Sequence, residues 1–499
     1  MGFINIPFVL IQELLTFCDL DSLIEFSCTT KENYEISKLF PIYFPDVITH
    51  NPYLLYKTFP NTKALCFYQT KIYKTSKLKK ELFSGDELNK VLALLNLEYF
   101  ESEGKKTNIH TDSFFSILEK SSPNLKVLKL SCEFKDSKIT KPLNFLNLRE
   151  LSIKFCTPVF SNLFETIVKL SIEINNNSLE YFMACSFPKL KDLTITSLIN
   201  LPHNFFQNTK DIENLKLVLY YHRTIDNIKP FNHMSKLISL DINGCSQLNG
   251  SVICDLVNLE KLQMGGCLKI SQESLIKLEK LRFLDISGCV QMTDIIFTYP
   301  FAMNLRALSI NYGGNNITND GIVKLQNLES IDASSVTDTN ITIDVFHKLP
   351  KLKSVNISRS VFLTNENLGE IPIVNTMALS IYGNNADDFS AENLIHLKDI
   401  RNLTICTGCY KFLTKEILDC WESHGMMQSI KIVKADYDYG HVFTDFKKLR
   451  IYVEETLLEE REEEESFKIS SARYDRRQNE RDRKKENRKQ REIALERKS

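Results

Sequence analysis

The sequence is poor in glycine, with 16 among 499 residues, about half of the usual share of roughly 7%. This scarcity argues against glycine-rich loops that bind phosphate groups. No apolar run approaches the roughly 18 residues that suggest a membrane span. The opening segment lacks the basic region of a signal peptide, and Gln12 and Glu13 interrupt its apolar residues. We therefore expect a protein that neither enters a membrane nor is secreted.

Catalytic motifs and an excess of charge are also missing. The sequence has no H-E-x-x-H, no G-x-S-x-G and no Walker lysine loop, and its nine histidines are scattered. We therefore predict a non-catalytic protein without a cofactor. Because 62 Lys and Arg balance 63 Asp and Glu, the chain as a whole is not a nucleic-acid polycation.

A heptapeptide of the form x-L-x-x-L-x-L recurs through the middle of the chain. The central apolar residues of the first and last copies, Leu128 and Leu403, are 275 residues apart over twelve steps. Two weaker copies are centred on Leu170 and Leu379. The period of about 23 residues lies in the range of leucine-rich repeats. Clear copies begin at Asn124, Asn147, Lys189, Asp211, Lys236, Asn258, Lys280, Asn304, Asn327, Lys351 and Asp399.

Each copy predicts one strand of a solenoid. Its last two apolar residues are two apart, so a strand directs both to one face. Helix-like spacing at Ile322, Leu325 and Leu328 indicates a segment that closes the back of the coil. We predict an α/β fold, a leucine-rich-repeat solenoid with a curved parallel sheet and outer helices.

Three cysteines follow the same period. Cys245, Cys267 and Cys289 are 22 residues apart in the triplets NGC, GGC and SGC, which resembles the cysteine-containing subclass of leucine-rich repeats. Residues one repeat apart stack along a line, whereas metal ligands must converge. We therefore predict buried thiols and no metal site, with Cys409 as a last, shifted member. Without an export signal, thirteen cysteines indicate reduced thiols and a cytoplasmic or nuclear location.

Residues 6 to 36 predict two amphipathic helices. Pro7 suits the start of the first helix, and Asp21 and Ser22 can cap the second. The segment resembles the F-box, which joins substrate receptors to ubiquitin ligases built from a Skp-type adaptor and a cullin. Val9 and Asn33 stand where the family has an acidic residue and Trp. The resemblance implies that the adaptor contacts Ile6, Pro7, Leu10, Ile11, Leu14, Leu15, Leu23 and Phe26.

Five segments are predicted: an F-box-like motif (1–40), a linker with irregular early repeats (41–123), the solenoid (124–435), a C-terminal cap (436–453) and a charged helical or disordered tail (454–499). The tail has 14 acidic and 14 basic residues among 46, too polar to bury a core. If the protein contacts nucleic acid or carries a nuclear-import signal, we expect the basic stretch from Arg481 to be responsible.

The repeats and the F-box resemblance together predict the substrate-recognition subunit of a Skp-cullin-F-box ubiquitin ligase, with an unidentified protein as target. The alternative is a leucine-rich-repeat scaffold whose N-terminal helices only cap the array. Strand residues that follow the central apolar positions are basic in early repeats and acidic in later ones. If they line the concave face, the target contacts Lys129, Lys154, Lys216, Asp241, Asp285 and Asp332.

Overall fold

The computed structural model divides the chain into two compact units. The first comprises Met1–Asp332 and Thr337–Leu352, and the second Ala333–Val336 and Lys353–Ser499. The residues that the structure describes are 43–47, 64–68, 92, 96–104, 111–132, 145–153, 165–176, 178–220, 223–225, 230–312, 316–336, 340–357, 360, 376–379, 395–406, 415–434 and 450–455.

The first unit contains a parallel sheet in which each strand pairs with the next along the chain. Its strands are β1 Tyr43–Val47, β2 Ala64–Tyr68, β3 Tyr99–Gly104, β4 Val127–Cys132, β5 Glu150–Ile153, β6 Lys169–Ile174, β7 Asp192–Ser197, β8 Asn214–Leu219, β9 Ser239–Asp241, β10 Lys261–Gln263, β11 Phe283–Asp285, β12 Ala307–Ser309 and β13 Ser330–Asp332.

The register aligns the central apolar residues of successive repeats. Leu128 pairs with Leu151, Leu151 with Leu170, and so on to Leu308 and Ile331. These side chains are buried while their strand neighbours are mostly half-exposed, because alternate strand residues face opposite sides. One strand per repeat in parallel register makes this unit a leucine-rich-repeat solenoid, and the fold prediction is confirmed.

Strands also lie outside the predicted range of the solenoid. The predicted irregular early repeats, NTKALCF from Asn61 and NLEYFES from Asn96, overlap β2 and β3, and β3 pairs in parallel with β4. The boundary at residue 123 therefore does not coincide with a break in the sheet.

Between β9 and β13, the described returning segments are closed mainly by short 3-10 helices and not by long α-helices. Ile322, Leu325 and Leu328 are buried as expected, yet the α-helix near them spans only four residues. A 3-10 helix rises about 2.0 Å per residue, against 1.5 Å in an α-helix, so a short repeat crosses its back with fewer residues. The described α-helices of this unit are α1 Thr111–Ser121, α2 Leu179–Ala184, α3 Asn319–Ile322 and α4 Asp344–His347. Its described 3-10 helices are Gly250–Val252, Gln272–Leu275, Asp294–Thr298 and Pro300–Met303.

In several repeats the first residue of the heptapeptide bonds to the preceding repeat. Asn258 donates its side-chain amide to the carbonyl oxygen of Ser235 at 2.9 Å, and Asn327 donates to Met303 at 2.8 Å. Where the residue is lysine, its ammonium reaches the side chain one repeat earlier, as from Lys280 to Asn258 at 2.7 Å. This ladder explains why polar residues begin the motif.

The second unit contains its own parallel strands, β14 Ser354–Asn356, β15 Thr376–Leu379, β16 Asn402–Cys406, β17 Ser429–Lys434 and β18 Arg450–Glu455, with a 3-10 helix Ile395–Asp399 and helix α5 Lys415–His424. Met377 pairs with Val355 and Leu403. The weak repeat is therefore centred on Met377, and the prediction of Leu379 was wrong by two residues.

The single tryptophan belongs to the core of the second unit. Trp421 lies on α5 beside Ile417 and Leu418, and all three side chains are buried. His424, on the same helix, lies 2.8 Å from the carboxylate of Asp399. Among the described residues, no helix is long and apolar enough to cross a bilayer.

Candidate functional site

The turns after β9, β10 and β11 are each built from a glycine and a buried cysteine. The thiols of Cys245, Cys267 and Cys289 donate to the carbonyl oxygens of Leu217, Ile242 and Met264, at 3.4, 3.1 and 3.2 Å. Burial raises the pKa of Cys245 to about 12 and that of Cys289 to about 11, and it also raises the pKa of Cys267. These thiols are structural.

Ser360 takes the same role in the second unit. It lies five residues after the central Val355, as each cysteine follows its central leucine. It is 7% exposed, and its hydroxyl donates to the carbonyl oxygen of Ala333 at 2.5 Å. The spacing could have identified Ser360 from the sequence, because a serine hydroxyl replaces the thiol as donor. Cys409, predicted as the last member of the column, lies outside the described residues.

Backbone conformation at the turn is left-handed in five successive repeats. Gly244, Gly266 and Gly288 have φ angles of 75°, 71° and 64°, which glycine adopts without steric cost. Tyr312 and Ser335 occupy the equivalent positions with φ angles of 60° and 54°. Neighbouring repeats therefore impose the turn even where the sequence supplies no glycine.

The outward side of the later strands carries all three predicted target-contacting aspartates. We call it the strand face, made of the residues directly before and after each central residue of β9–β13: Ser239, Asp241, Lys261, Gln263, Phe283, Asp285, Ala307, Ser309, Ser330 and Asp332. Asp241, Asp285 and Asp332 occupy one row of it, because the register aligns them through Gln263 and Ser309. Lys216 on β8 continues this row.

Two of the predicted lysines are engaged within the protein. Lys129 lies between Glu101 and Glu150, with its ammonium 3.9 and 3.6 Å from their carboxylates. Lys216 lies 3.0 Å from the carboxylate of Asp241. Both lysines therefore have carboxylates of the protein itself as neighbours, and the early part of the sheet is not uniformly basic.

The third lysine was assigned to the wrong position in its strand. Ser152, and not Lys154, directly follows the central Leu151 and pairs with Lys129. Lys154 itself lies outside the described residues.

Asp285 differs from its neighbours because it is buried, with 9% of its surface exposed. It accepts hydrogen bonds from the backbone amide and hydroxyl of Ser287, and from the side-chain amide of Asn243 at 3.3 Å. Asn243 reaches it from two repeats away because Gly265 lies between them. A Cβ at Gly265 would lie 3.2 Å from the Asn243 side-chain oxygen.

Asp332 also accepts a hydrogen bond across repeats. The side-chain amide of Asn311 donates to its carboxylate at 3.4 Å. The serine hydroxyls of Ser287 and Ser309 lie 3.0 Å apart between the two aspartates. No pattern in the sequence indicates the contact of Asn243 with Asp285 or that of Ser309 with Ser287, since these contacts join residues 42 and 22 positions apart.

The predicted adaptor-contacting residues, Ile6, Pro7, Leu10, Ile11, Leu14, Leu15, Leu23 and Phe26, lie outside the described residues, as does the basic stretch from Arg481. Within the described ranges, no group of three or more His, Cys, Asp or Glu side chains could hold a metal ion.

Comparisons with known proteins find a general likeness to leucine-rich-repeat structures. An internalin from Listeria monocytogenes is 12% identical, with a TM-score of 0.27 over 74% of this chain and 89% of its own. A leucine-rich-repeat protein of Leptospira interrogans is 15% identical (TM-score 0.35, 78% and 92%), and LegL7 of Legionella pneumophila is 18% identical (TM-score 0.34, 47% and 89%). No protein-family model and no curated protein matches the chain. The fold assignment therefore rests on the strand register.

Proposed function

We propose that this protein is the substrate-recognition subunit of a Skp-cullin-F-box ubiquitin ligase. Residues 6 to 36 dock the adaptor, and the solenoid recruits a protein target. The observation that carries the proposal is the presence in one chain of an F-box-like segment and a leucine-rich-repeat solenoid. In this role the protein is a non-catalytic adaptor, located in the cytoplasm or nucleus.

The N-terminal segment has the chemistry of a docking element. Leu10, Ile11, Leu14 and Leu15 form the apolar side of one short predicted helix. Two helices this short cannot bury both of their apolar sides against each other, so the remaining surface needs a partner. A Skp-type adaptor would supply that surface and link the chain to the cullin.

The solenoid supports target recruitment through its strand face. Repeat proteins commonly bind partners along the sheet because each repeat adds side chains to one continuous surface. The proposed target contacts are Lys129, Lys216, Asp241, Asp285 and Asp332. The protein would act by raising the effective concentration of a target lysine near ligase-bound ubiquitin.

The alternative function is an interaction scaffold whose first helices only cap the array. It is favoured by one observation: β1 begins at Tyr43, directly after the F-box-like segment, and is the first of the described strands. The end of a solenoid needs a cover over its core and its strand edge. A cap would use the same apolar residues, so only partner binding separates the two functions.

Point variants of the first helix test the proposal. Replacing both Ile6 and Pro7 with Ala, or Leu14 with Glu, is expected to abolish copurification of the adaptor and the cullin. The matched control is Leu268→Glu, which makes the same change at a side chain that is 52% exposed in the solenoid. Cullin should be recovered with the control as with the parent.

Affinity purification with and without residues 1 to 40, followed by mass spectrometry, separates the two functions. Loss of the adaptor and cullin together, with other partners retained, supports the ligase subunit. Equal recovery of cullin from both forms, or no cullin from the parent, rejects it in favour of the scaffold.

A further inference from the structure

The turns after β10, β11 and β12 expose three apolar side chains in successive repeats. Leu268 is 52% exposed, Val290 51% and Tyr312 75%. Leu268 and Val290 occupy the same position, directly after the buried cysteine, and Tyr312 takes the place of the glycine in the next turn. Successive repeats are about 5 Å apart along the sheet, so the three side chains form one row. Single exposed apolar residues are common, whereas a row of them indicates a contact surface.

Side-chain amides of the following repeats hold the backbone beneath this row. Gln291 donates to the carbonyl oxygen of Cys267, next to Leu268, at 2.9 Å. Asn316 donates to the carbonyl oxygen of Val290 at 3.1 Å. The backbone of the row is therefore fixed before a partner binds, and binding there has little loss of backbone freedom to overcome.

Glycines leave the surface beside this row open. A Cβ added at Gly244 or Gly288 would meet nothing within 4 Å. The amide groups of the turn glycines are bonded to the next repeat, as from Gly288 to the carbonyl oxygen of Asn311 at 3.1 Å. The glycines therefore form a backbone surface whose donors are used within the protein. We call the glycines and the three apolar side chains together the turn rim: Gly244, Gly266, Gly288, Leu268, Val290 and Tyr312.

Tyr312 occupies the next position after Gly288 at a conformational cost. Its φ angle of 60° is one that glycine adopts freely and tyrosine does not. Because its side chain is 75% exposed, the fold gains little packing in return. Strained residues of this kind concentrate at functional sites. A role outside the fold accounts for a tyrosine at this position.

The turn rim also lacks the ion pairs found on the returning side of the same repeats. There, lysines pair with carboxylates of the preceding repeat, as Lys277 does with Asp255 at 3.3 Å. The five residues from each of the three turn glycines onward include no acidic residue and one basic residue, Lys269. Its ammonium donates to the side-chain oxygen of Gln247 at 2.6 Å. A charged partner segment would lose water at the rim without gaining an opposite charge.

We propose that the turn rim binds an extended, uncharged apolar segment of the protein that the solenoid recruits. The inference rests on target recruitment in the proposed function and adds a contact beside the strand face. An extended chain can lie close against a row of glycines while its apolar side chains pack on Leu268, Val290 and Tyr312. A second copy of this chain fits less well, because a stable interface takes about 20 to 30 residues from each partner. The rim offers three apolar side chains.

Photocrosslinking of defined peptides to the full chain tests the proposal. The probe is a blocked nonapeptide that alternates leucine and serine, with a benzophenone on its central residue. Companion peptides carry asparagine, lysine or glutamate in place of leucine. Rim labelling is counted as crosslinks at residues 266–270, 288–292 and 310–312, located by mass spectrometry. We expect the leucine peptide to give about fivefold more rim labelling than any companion peptide.

Leu268→Ser and Tyr312→Asn are each expected to lower rim labelling by about fivefold, because each removes apolar contact area. Asparagine tolerates the left-handed conformation, so Tyr312→Asn keeps the turn. Tyr312→Phe keeps the ring and should retain the labelling of the parent. The matched control Met303→Ser changes a side chain that is 61% exposed on the returning side, and it should alter rim labelling by less than about twofold.

A further variant separates binding from folding. Tyr312→Gly should lose rim labelling although the removal of strain leaves the chain at least as stable in urea. No rim labelling of the parent, equal labelling by a charged peptide, an equal loss with Met303→Ser, or parental labelling of Tyr312→Asn would overturn the inference. Copurification of the adaptor and the cullin does not depend on the turn rim, so failure here and failure of the proposed function are distinguishable.

Discussion

The long-strand region and the cysteine region of the first unit use the same register with different local structure. In β6–β8 each strand has six residues, and every second one is buried. In β9–β13 each strand has three residues and ends at a left-handed turn. The central residues nonetheless pair without interruption from Leu215 to Leu240. Repeat register and strand length are therefore set by different residues.

The two regions differ in conformation at the residue four places after the central one. In the long-strand region this position holds Ile174, Ser197 and Leu219, which remain in the strand with buried side chains. In the cysteine region it holds Gly244, Gly266 and Gly288, where the chain turns and the following thiol points into the core. Tyr312 and Ser335 adopt the same left-handed conformation after β12 and β13. The turn also brings polar side chains such as Asn243 next to Asp285.

The largest effect is expected for a β-branched residue at the left-handed turn. Gly266→Val should lower the free energy of unfolding by about 3 kcal/mol, because valine does not tolerate a positive φ. A Cβ there meets only Gly244, at 3.8 Å, so crowding adds little. The control Thr196→Val in β7 should change stability by no more than about 0.5 kcal/mol. Urea unfolding measures both, and equal effects would refute the distinction between the regions.

Removing a thiol donor should have the next largest effect. Cys267→Ala leaves the carbonyl group of Ile242 without this donor and should cost about 2 kcal/mol. Cys267→Ser should cost less than about 1 kcal/mol, since Ser360 makes the same bond with a hydroxyl. Thermal unfolding distinguishes the two variants. Serine and alanine variants of equal stability would show that the thiol acts only by filling space.

Relieving backbone strain should stabilise the protein slightly. Tyr312→Gly removes a left-handed tyrosine that is 75% exposed, so little packing is lost. The gain should be about 0.5 to 1 kcal/mol, after the greater entropy of glycine in the unfolded chain is subtracted. A destabilised variant in urea unfolding would indicate that the tyrosine side chain supports the fold.

The smallest effect is expected at the boundary of the two regions. Lys216→Ala removes the ion pair with Asp241, in which the lysine side chain is 55% exposed. Stability should fall by about 0.5 kcal/mol at low salt and by less at high salt. A loss independent of salt would show that the lysine acts through packing of its aliphatic part.

The repeats could be predicted from the sequence because their apolar period is visible within a few residues. The thiol column followed from the 22-residue spacing of Cys245, Cys267 and Cys289. The weak repeat at Met377 was misplaced by two residues, since Leu379 lies in the same strand with the same apolar alternation. The sequence of this strand alone therefore does not show which of the two apolar residues is the central one.

The charge pattern of the candidate site could be predicted only in part. The shared row of Asp241, Asp285 and Asp332 followed from the repeat period. The burial of Asp285 could not, because Asn243 contacts it from 42 positions away and depends on the absence of a side chain at Gly265. The 3-10 helices were also missed, since the spacing of buried leucines does not distinguish them from α-helices.

Reconstitution with purified components tests the central claim most directly. The full chain is mixed with the Skp-type adaptor of its source organism and analysed by size-exclusion chromatography with light scattering. We expect a stable complex of one adaptor per chain, with the Leu14→Glu variant eluting separately from the adaptor while the Leu268→Glu variant still forms the complex. An adaptor that elutes apart from the folded parent chain would contradict the assignment as a ligase subunit.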